Sequence, residues 1–244
     1  MIETRHQRWA HFIFRHYLRR LFQRNFHSIH LLGEIPEHRK DQPLLLLPNH
    51  SSWWDGFFIY LVNEKIFKRP LYLMMLESQL KKYPFFSRVG AFSIDPQHPK
   101  SVMASLDYSR KLLNLPATPA PLVCLFPQGE LRPNFVRPLG LENGYNWIVS
   151  KVTKPLSIFT LGIQIEFLDQ QLPEVFFQFE KVATSEILNT VSPNLVENSL
   201  GGLLDSIHQE ILSGKKGTTV FTGSRSINER WDLFVRTRVR KRGN

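Results

Sequence analysis

The amino-acid sequence predicts an α/β fold, in which a central mixed, mostly parallel sheet is flanked by helices. Two observations support this prediction. Short apolar runs bounded by turn residues recur along the chain, and segments with apolar residues at helical spacing lie between them. Such alternation is typical of a sheet that is covered on both faces. At 244 residues the chain is long enough to bury a sizeable core, and no break in composition divides it.

The N-terminal segment, residues 8–26, is predicted to form an amphipathic helix. Its apolar positions are Trp9, Phe12, Ile13, Tyr17, Leu21 and Phe22. Its basic positions are Arg8, Arg15, Arg19, Arg20 and Arg24. This pattern suits an anchor at a membrane interface, but it suits equally a first helix that packs on its own domain. We divide the chain into residues 1–30, a membrane-associated helix, and residues 31–244, a single α/β domain with a basic C-terminal tail.

The rest of the chain alternates between strands and helices. The predicted strands, each an apolar run bounded by Pro, Gly or polar residues, are 28–36, 43–50, 69–78, 91–95, 122–129, 155–168 and 174–182. The predicted helices are 52–65, 79–90, 98–115 and 192–214. The helix at 79–90 is short and continues as a loop. The last helix begins at a capping residue, Ser192, and stops at Gly214.

The chain is strongly basic, with 31 Lys and Arg against 21 Asp and Glu and a formal net charge of +10. Such a protein is attracted to nucleic acid or to anionic lipid headgroups. No helix-turn-helix, zinc-finger or RNA-recognition pattern occurs, so we expect an anionic membrane surface and no nucleic acid as partner. The loop at residues 80–88 mixes cations with Tyr83, Phe85 and Phe86, which either contact a membrane or turn into the core.

The cellular compartment follows from what the sequence lacks. No run approaches the roughly 18 apolar residues of a spanning helix, and the polar start does not match a signal peptide. The single cysteine, Cys124, excludes an internal disulfide and is interpreted as a core residue of a strand. These features predict a peripheral protein on the cytoplasmic face of the membrane.

Polar residues follow two of the predicted strands, in "PNHSSWWD" from Pro48 and in "FPQGELRP" from Phe126. Functional residues of α/β sheets gather beyond the carboxyl ends of strands. A neutral imidazole accepts protons near neutral pH, and a carboxylate can fix its tautomer. His50 and Asp55 would lie about 140° apart on one helix, so they meet only across a turn, which Pro48 and Asn49 favour. Taken alone, a histidine near a helix start is more often a structural cap or a surface residue than a catalytic base.

The two segments together resemble two sequence blocks of the glycerolipid acyltransferases, the lysophosphatidic acid acyltransferase superfamily. "NHSSWWD" resembles the N-H-x-x-x-x-D block, and "FPQGELR" resembles the block F-P-E-G-T-R-S. Between and after them, "RVGAFSID" resembles the G-x-x-x-I-x-R block, and "KPLSIFTLGI" resembles a block built around a proline-bearing strand. The resemblance covers residues 30–170, which is more than half of the chain.

This chain departs from the family at positions that are implied to hold an acceptor phosphate. Gln128 stands in place of the family's Glu, Glu130 and Leu131 stand in place of Thr and Arg, and the arginine is displaced to Arg132. The arginine that ends the middle block is missing, and the nearest cation is Lys100. Arginine is the best fixed donor to phosphate. The acceptor is therefore open between a phosphorylated lysolipid and an uncharged hydroxyl, as on a glycosylated lipid such as a carotenoid glycoside, or an aminolipid.

The resemblance implies transfer of a fatty acyl group from acyl-CoA or acyl carrier protein to a hydroxyl of a lipid acceptor, such as 1-acylglycerol-3-phosphate. His50 is implied as the general base, assisted by Asp55. The implied acceptor-binding residues are Gln128, Gly129, Glu130 and Arg132. Backbone N–H groups near Gly129 are expected to stabilise the oxyanion. We expect no cofactor and no metal, since no His, Cys and Asp cluster has metal-ligand spacing. The competing interpretation is a non-catalytic basic module that binds lipid or nucleic acid.

Overall fold

An eight-stranded sheet forms the centre of the computed structural model, which describes residues 1–184, 193–227, 229 and 231. Its strands are β1 (Ser28–Leu32), β2 (Leu44–Pro48), β3 (Leu71–Leu76), β4 (Ala91–Ile94), β5 (Leu122–Cys124), β6 (Ser157–Glu166), β7 (Glu174–Thr184) and β8 (Thr218–Thr222). They lie in the order β4–β3–β5–β2–β6–β7–β1–β8. Neighbouring strands are parallel except at β6–β7 and β1–β8. The predicted mixed, mostly parallel sheet is confirmed.

Helices cover both faces of this sheet. They are α1 (Arg8–Asn25), α2 (Asp55–Val62), α3 (Glu77–Lys82), α4 (Pro99–Leu113), α5 (Gly144–Lys151) and α6 (Pro193–Leu212). A π-helical turn, Asn63–Phe67, continues α2, and a 3₁₀ turn, Pro84–Val89, precedes β4. Side chains of α1 and α2 enter one hydrophobic cluster, and those of α4, α5 and α6 enter a second one. Each cluster lies against a different face of the sheet.

Strand β2 contains four consecutive leucines because both of its sides are buried. Leu44 and Leu46 point into the cluster of α1 and α2, whereas Leu45 and Leu47 point into the cluster of α4, α5 and α6. All four side chains are fully buried, as is usual for parallel sheets with helices on both faces. The strands β5 and β6 flank β2 and run parallel to it. The carboxyl ends of β2, β5 and β6 therefore meet at one edge of the sheet, which we call the site edge.

Helix α1 packs through a different face from the one that the sequence predicted. Its buried side chains follow each other at intervals of four: Ala10, Phe14, Leu18 and Phe22. Four members of the predicted apolar face are between 48% and 62% exposed: Trp9, Phe12, Ile13 and Tyr17. Apolar residues occupy two adjoining faces of this helix, so only one of them can reach the core. Of the predicted apolar positions, Leu21 and Phe22 do pack against the core, whereas the buried Ala10, Phe14 and Leu18 were not among them. Membrane association of residues 1–30 stays a prediction.

Truncating one ring on each face tests this packing. We expect Phe22→Ala to lower the free energy of unfolding by about 3–5 kcal/mol, because removing a fully buried ring leaves a cavity. We expect Phe12→Ala, at a position that is 62% exposed, to change it by less than about 0.5 kcal/mol. Urea denaturation of the two variants measures the difference. A loss for Phe12→Ala as large as that for Phe22→Ala would show that the face carrying Phe12 is also packed against the core.

Other local differences have short-range causes. The strand that was predicted to reach Gly129 ends at Cys124, because the chain turns there: Pro127 has no N–H to donate, and the N–H of Gly129 donates to the Phe126 carbonyl. Helix α5 was not predicted, since a two-turn helix depends on tertiary packing, here of its buried Tyr145 and other apolar residues. Strand β8 was not predicted either, and it is a mostly exposed edge strand.

The structure places some of the remaining predicted features and leaves others outside the described residues. In the loop at residues 80–88, Phe85 and Phe86 pack against the core, while Tyr83 is 45% exposed. The predicted cap Ser192 and the whole basic tail, residues 236–244, lie outside the described residues. Within the described part of the chain, none of the helices has both the length and the apolar content needed to span a bilayer.

Candidate active site

The two polar segments that were noted in the sequence meet at the site edge. The segment after β2 contains His50, and the segment after β5 contains Gln128 and Arg132. The N–H of His50 donates to Oε1 of Gln128 over 2.6 Å. The N–H of Arg132 donates to the carbonyl of His50 over 2.8 Å. Both backbone polar groups of His50 are therefore bound by the second segment. The parallel strands predicted that the two segments lie close together.

His50 and Asp55 form a direct side-chain contact. The distance between Nδ1 of His50 and Oδ2 of Asp55 is 2.9 Å. The intervening turn of four residues closes this contact, as the sequence predicted. Asp55 is the first residue of α2, where the N-terminal end of a helix favours a negative charge.

The Asp55 carboxylate is completely buried and has several donors besides His50. Its Oδ2 accepts the backbone N–H groups of Ser51 and Ser52, each over 2.8 Å. Its Oδ1 accepts the hydroxyl of Ser52 over 2.6 Å. A buried carboxylate is stable only with such partners. These contacts fix both the position of the carboxylate and the turn that carries His50.

The geometry assigns the protons of the His50 ring. Since the carboxylate only accepts hydrogen bonds, Nδ1 carries the proton in the neutral ring and Nε2 keeps its lone pair. The ring stacks on Phe126, with centroids 4.0 Å apart and planes inclined by 20°. The side chain is 24% exposed. An oriented, accessible and neutral imidazole can take a proton from a hydroxyl.

Asn49 connects the segment after β2 to strand β6. Its Oδ1 accepts the N–H of Ile163 over 2.7 Å, and its Nδ2 donates to the carbonyl of the same residue over 3.0 Å. Nδ2 also lies 2.8 Å from Oδ1 of Asn134, in the loop after β5. The Asn49 side chain is 1% exposed. Its hydrogen bonds therefore connect the segment after β2, strand β6 and the loop after β5 beside His50.

The remaining predicted site residues lie in the loop after β5. Gly129 has a φ of 69°, in the region that favours glycine, and its own N–H is used within the turn. The Arg132 guanidinium contacts the Glu130 carboxylate, with Nη2 2.8 Å from Oε1, and also donates to the Leu139 carbonyl. Glu130 is exposed, and Gln128 is only 3% exposed. The structure thus places all six predicted residues in the two segments that meet, and it gives Gln128 a contact with His50.

Sequence reasoning missed the roles of Asn49, Ser52 and Phe126. A signal existed for Ser52, since a serine three residues before a carboxylate at a helix start often forms a local hydrogen bond with it. No signal in the sequence points to the partners of Asn49, which are 85 and 114 residues away. Cys124 was interpreted correctly, because it is fully buried and burial raises the pKa of its thiol well above the usual range.

Comparisons with known proteins agree on the family and the fold. The family model described as "Acyltransferase" matches residues 28–163, which is more than half of the chain. The crystal structure of the 1-acyl-sn-glycerophosphate (LPA) acyltransferase PlsC from Thermotoga maritima is similar, with a TM-score of 0.52 and 11% identity. The similarity covers 82% of this chain and 78% of that one. A search of curated proteins finds no match.

Proposed function

The chain belongs to the acyltransferase family, and from this premise we propose that it moves a fatty acyl group from a thioester to a hydroxyl of a lipid acceptor. The donor is acyl-CoA or acyl carrier protein, and the acceptor class includes lysophospholipids such as 1-acylglycerol-3-phosphate. The observation that carries this proposal is the contact between His50 Nδ1 and the buried Asp55 carboxylate, which leaves Nε2 as a base. The fold that it shares with an LPA acyltransferase supports it.

The reaction uses His50 first as a base and then as an acid. Nε2 takes the proton of the acceptor hydroxyl while the hydroxyl oxygen attacks the thioester carbonyl carbon. The tetrahedral oxyanion collapses, the carbon–sulfur bond breaks, and the imidazolium returns its proton to the leaving thiolate. The products are the acyl ester and the free thiol. The Asp55 carboxylate stabilises the imidazolium between the two proton transfers.

The oxyanion requires hydrogen-bond donors that are aimed before the reaction begins. The N–H of Gly129 donates to the Phe126 carbonyl and is occupied. We assign the role to the next two amides, those of Glu130 and Leu131. They directly precede Arg132, whose N–H donates to the His50 carbonyl, so they lie close to His50 along the chain. This refines the expectation that donors lie near Gly129.

Gln128 is assigned a positioning role in this reaction. We expect Gln128→Leu to lower kcat/KM by about 10- to 100-fold, because the N–H of His50 loses the acceptor that fixes its backbone, and a small displacement of the base slows the reaction. Gln128→Glu retains an oxygen at the same place and is expected to keep most of the activity. Steady-state kinetics of both variants tests the role. Equal loss in both variants would show that the amide group of Gln128 is needed for something other than the His50 N–H.

The pairing of Arg132 with Glu130 favours a second acceptor class. A phosphorylated acceptor would have to displace the Glu130 carboxylate from the guanidinium. This pair is exposed and therefore weak enough to be displaced. An uncharged sugar hydroxyl on a glycosylated lipid would leave the pair intact and could donate to Glu130. We therefore keep the glycosylated lipid beside the lysophospholipid as the acceptor, and the aminolipid as a further alternative.

One assay tests the proposal and chooses between the acceptors. The purified chain is incubated with radiolabelled acyl-CoA, or with acyl carrier protein that bears a radiolabelled acyl group, and in turn with lysophosphatidic acid, a lysophosphatidylcholine, a glycolipid and a lyso-aminolipid. We expect a labelled ester with at least one hydroxyl acceptor. Liposome binding without labelled product for any donor and acceptor would favour the non-catalytic module instead.

The membrane association of the protein is part of the same proposal. The exposed face of α1 carries Trp9, Phe12, Ile13 and Tyr17 beside arginines, a composition that suits the interface of an anionic bilayer. Location on the cytoplasmic face of the membrane would place the site beside intracellular acyl thioesters.

A further inference from the structure

A cleft with a volume of about 680 Å³ lies between the start of α1, the end of α2 and the start of β3. We call it the basic cleft, and its principal lining residues are His6, His11, Arg15, Tyr60, Lys68 and Arg69. Its volume is within the range of about 300–1,000 Å³ that is usual for small-molecule sites. Strand β3 is parallel to β5, and β5 to β2, so β3 begins at the edge of the sheet opposite the site edge. The basic cleft is therefore separate from the candidate active site.

Positive charge exceeds negative charge in the basic cleft. The described residues that line it include three cations, Arg15, Lys68 and Arg69, against one carboxylate, that of Glu64. Nε of Arg15 lies 3.2 Å from Oε1 of Glu64, and both side chains are partly exposed, so a ligand can displace this pair. Arg69 is buried and donates to three backbone carbonyls, and its Nε has no acceptor in the described part of the chain. A buried cation that binds no carboxylate favours an anion nearby.

The backbone at Lys68 has an uncommon conformation. Its φ is 53°, in the left-handed region that favours glycine. The residue follows the π-helical turn, and its N–H donates to the Asn63 carbonyl over 2.6 Å. The Asn63 side chain binds both backbone polar groups of Arg69, over 2.9 Å and 3.1 Å. Since π-helical turns and left-handed residues other than glycine are frequent at functional sites, this fixed turn is a candidate for a binding role.

Three rings form a column beside these charges. The planes of His6 and His11 are inclined by 19° with centroids 5.2 Å apart, and those of His11 and Tyr60 by 21° with centroids 5.9 Å apart. His6 Nδ1 lies 3.0 Å from His11 Nε2, and His11 Nδ1 lies 2.9 Å from the Tyr60 hydroxyl. Burial lowers the pKa of His11 and raises the pKa of Tyr60 to about 12, so both rings are neutral near pH 7. Rings of this kind offer a flat surface on which a nucleic-acid base can stack.

We propose that the basic cleft binds a nucleotide, with a phosphate at Lys68 and Arg15 and the base against the column of rings. Fixed cations suit a phosphate, and arginine binds it with a bidentate fork. A phosphate ion alone would use the cations and leave the rings and most of the volume unused. Two sources share the required chemistry, a free adenine nucleotide and the 3′-phosphoadenosine end of CoA. This binding site goes beyond the proposed acyl transfer and does not depend on it.

The test measures binding of adenosine 3′,5′-bisphosphate to the purified chain by isothermal titration calorimetry. We expect Lys68→Asn to weaken binding by about tenfold, because the phosphate loses a charge-assisted hydrogen bond while asparagine still tolerates the left-handed backbone. Lys65→Gln is the matched control. It removes the same charge from an exposed position of the same π-helical turn, outside the lining of the cleft, and is expected to leave the Kd unchanged. No binding to the wild type, or equal losses in the two variants, would overturn the proposal.

Two further measurements test the base and identify the source. His6→Ala is expected to weaken binding of the bisphosphate by about fivefold or more, because a ring of the column is lost, and to leave binding of inorganic phosphate unchanged. Inorganic phosphate that binds the wild type as tightly as the bisphosphate would overturn the assignment of a nucleotide. Competition then separates the two sources. Displacement of the bisphosphate by CoA and not by AMP would assign the nucleotide end of CoA, whereas displacement by AMP would assign a free nucleotide.

Discussion

His50→Ala is expected to lower kcat for acyl transfer by about 10²- to 10⁴-fold, because the acceptor hydroxyl loses the base that takes its proton. The Asp55 carboxylate cannot replace it directly, since it is completely buried and its oxygens already accept several hydrogen bonds. The Asp55 carboxylate keeps its other three donors in this variant, so the variant is expected to fold. The measurement is the initial rate of labelled ester formation, with circular dichroism as the check on folding.

The chain offers a matched control for this substitution. His98 also contacts a carboxylate, with Nδ1 2.7 Å from Oδ2 of Asp95, but its side chain is 71% exposed and lies before α4. His98→Ala removes the same chemical pair from a solvent-exposed place and is expected to leave the rate unchanged. A His50→Ala enzyme with the wild-type rate would exclude the general-base mechanism, whatever acceptor is used.

The His50–Asp55 contact was predictable because it is local. A base and a carboxylate five residues apart can meet only across a turn, and the residues around Pro48 favour one. The sheet order was not needed for that step. The order of the strands is what brings Gln128 to the His50 N–H. The prediction that strand ends converge indicated the region of this contact, but it did not identify the two groups that meet.

The parts that escaped prediction depend on long-range packing. Asn49 reaches its partners in β6 and in the loop after β5, and nothing in its local sequence identifies them. The face of α1 was assigned wrongly for a related reason. The helix has two apolar faces of similar composition. Contacts with α2 and the sheet decide which of them is buried, for example the stacking of Phe58 on Phe22.

Asp55→Asn is expected to lower kcat by about 10²-fold or more while the protein keeps its fold, because the substitution removes charge and changes little in shape. Three N–H donors point at Oδ2, so the amide oxygen is expected to take that place. The amide nitrogen then faces the Ser52 hydroxyl, which can accept a hydrogen bond instead of donating one. The His50 tautomer is retained in this arrangement, and only the stabilisation of the imidazolium is lost.

A second substitution at the same position separates the charge of the carboxylate from its structural role. Asp55→Ala differs because the buried N–H groups of Ser51 and Ser52 lose their acceptor, at about 1–3 kcal/mol each. It is expected to lower the free energy of unfolding as well as the rate. A stable Asp55→Asn enzyme with an unchanged kcat would show that the carboxylate positions the turn and takes no part in proton transfer.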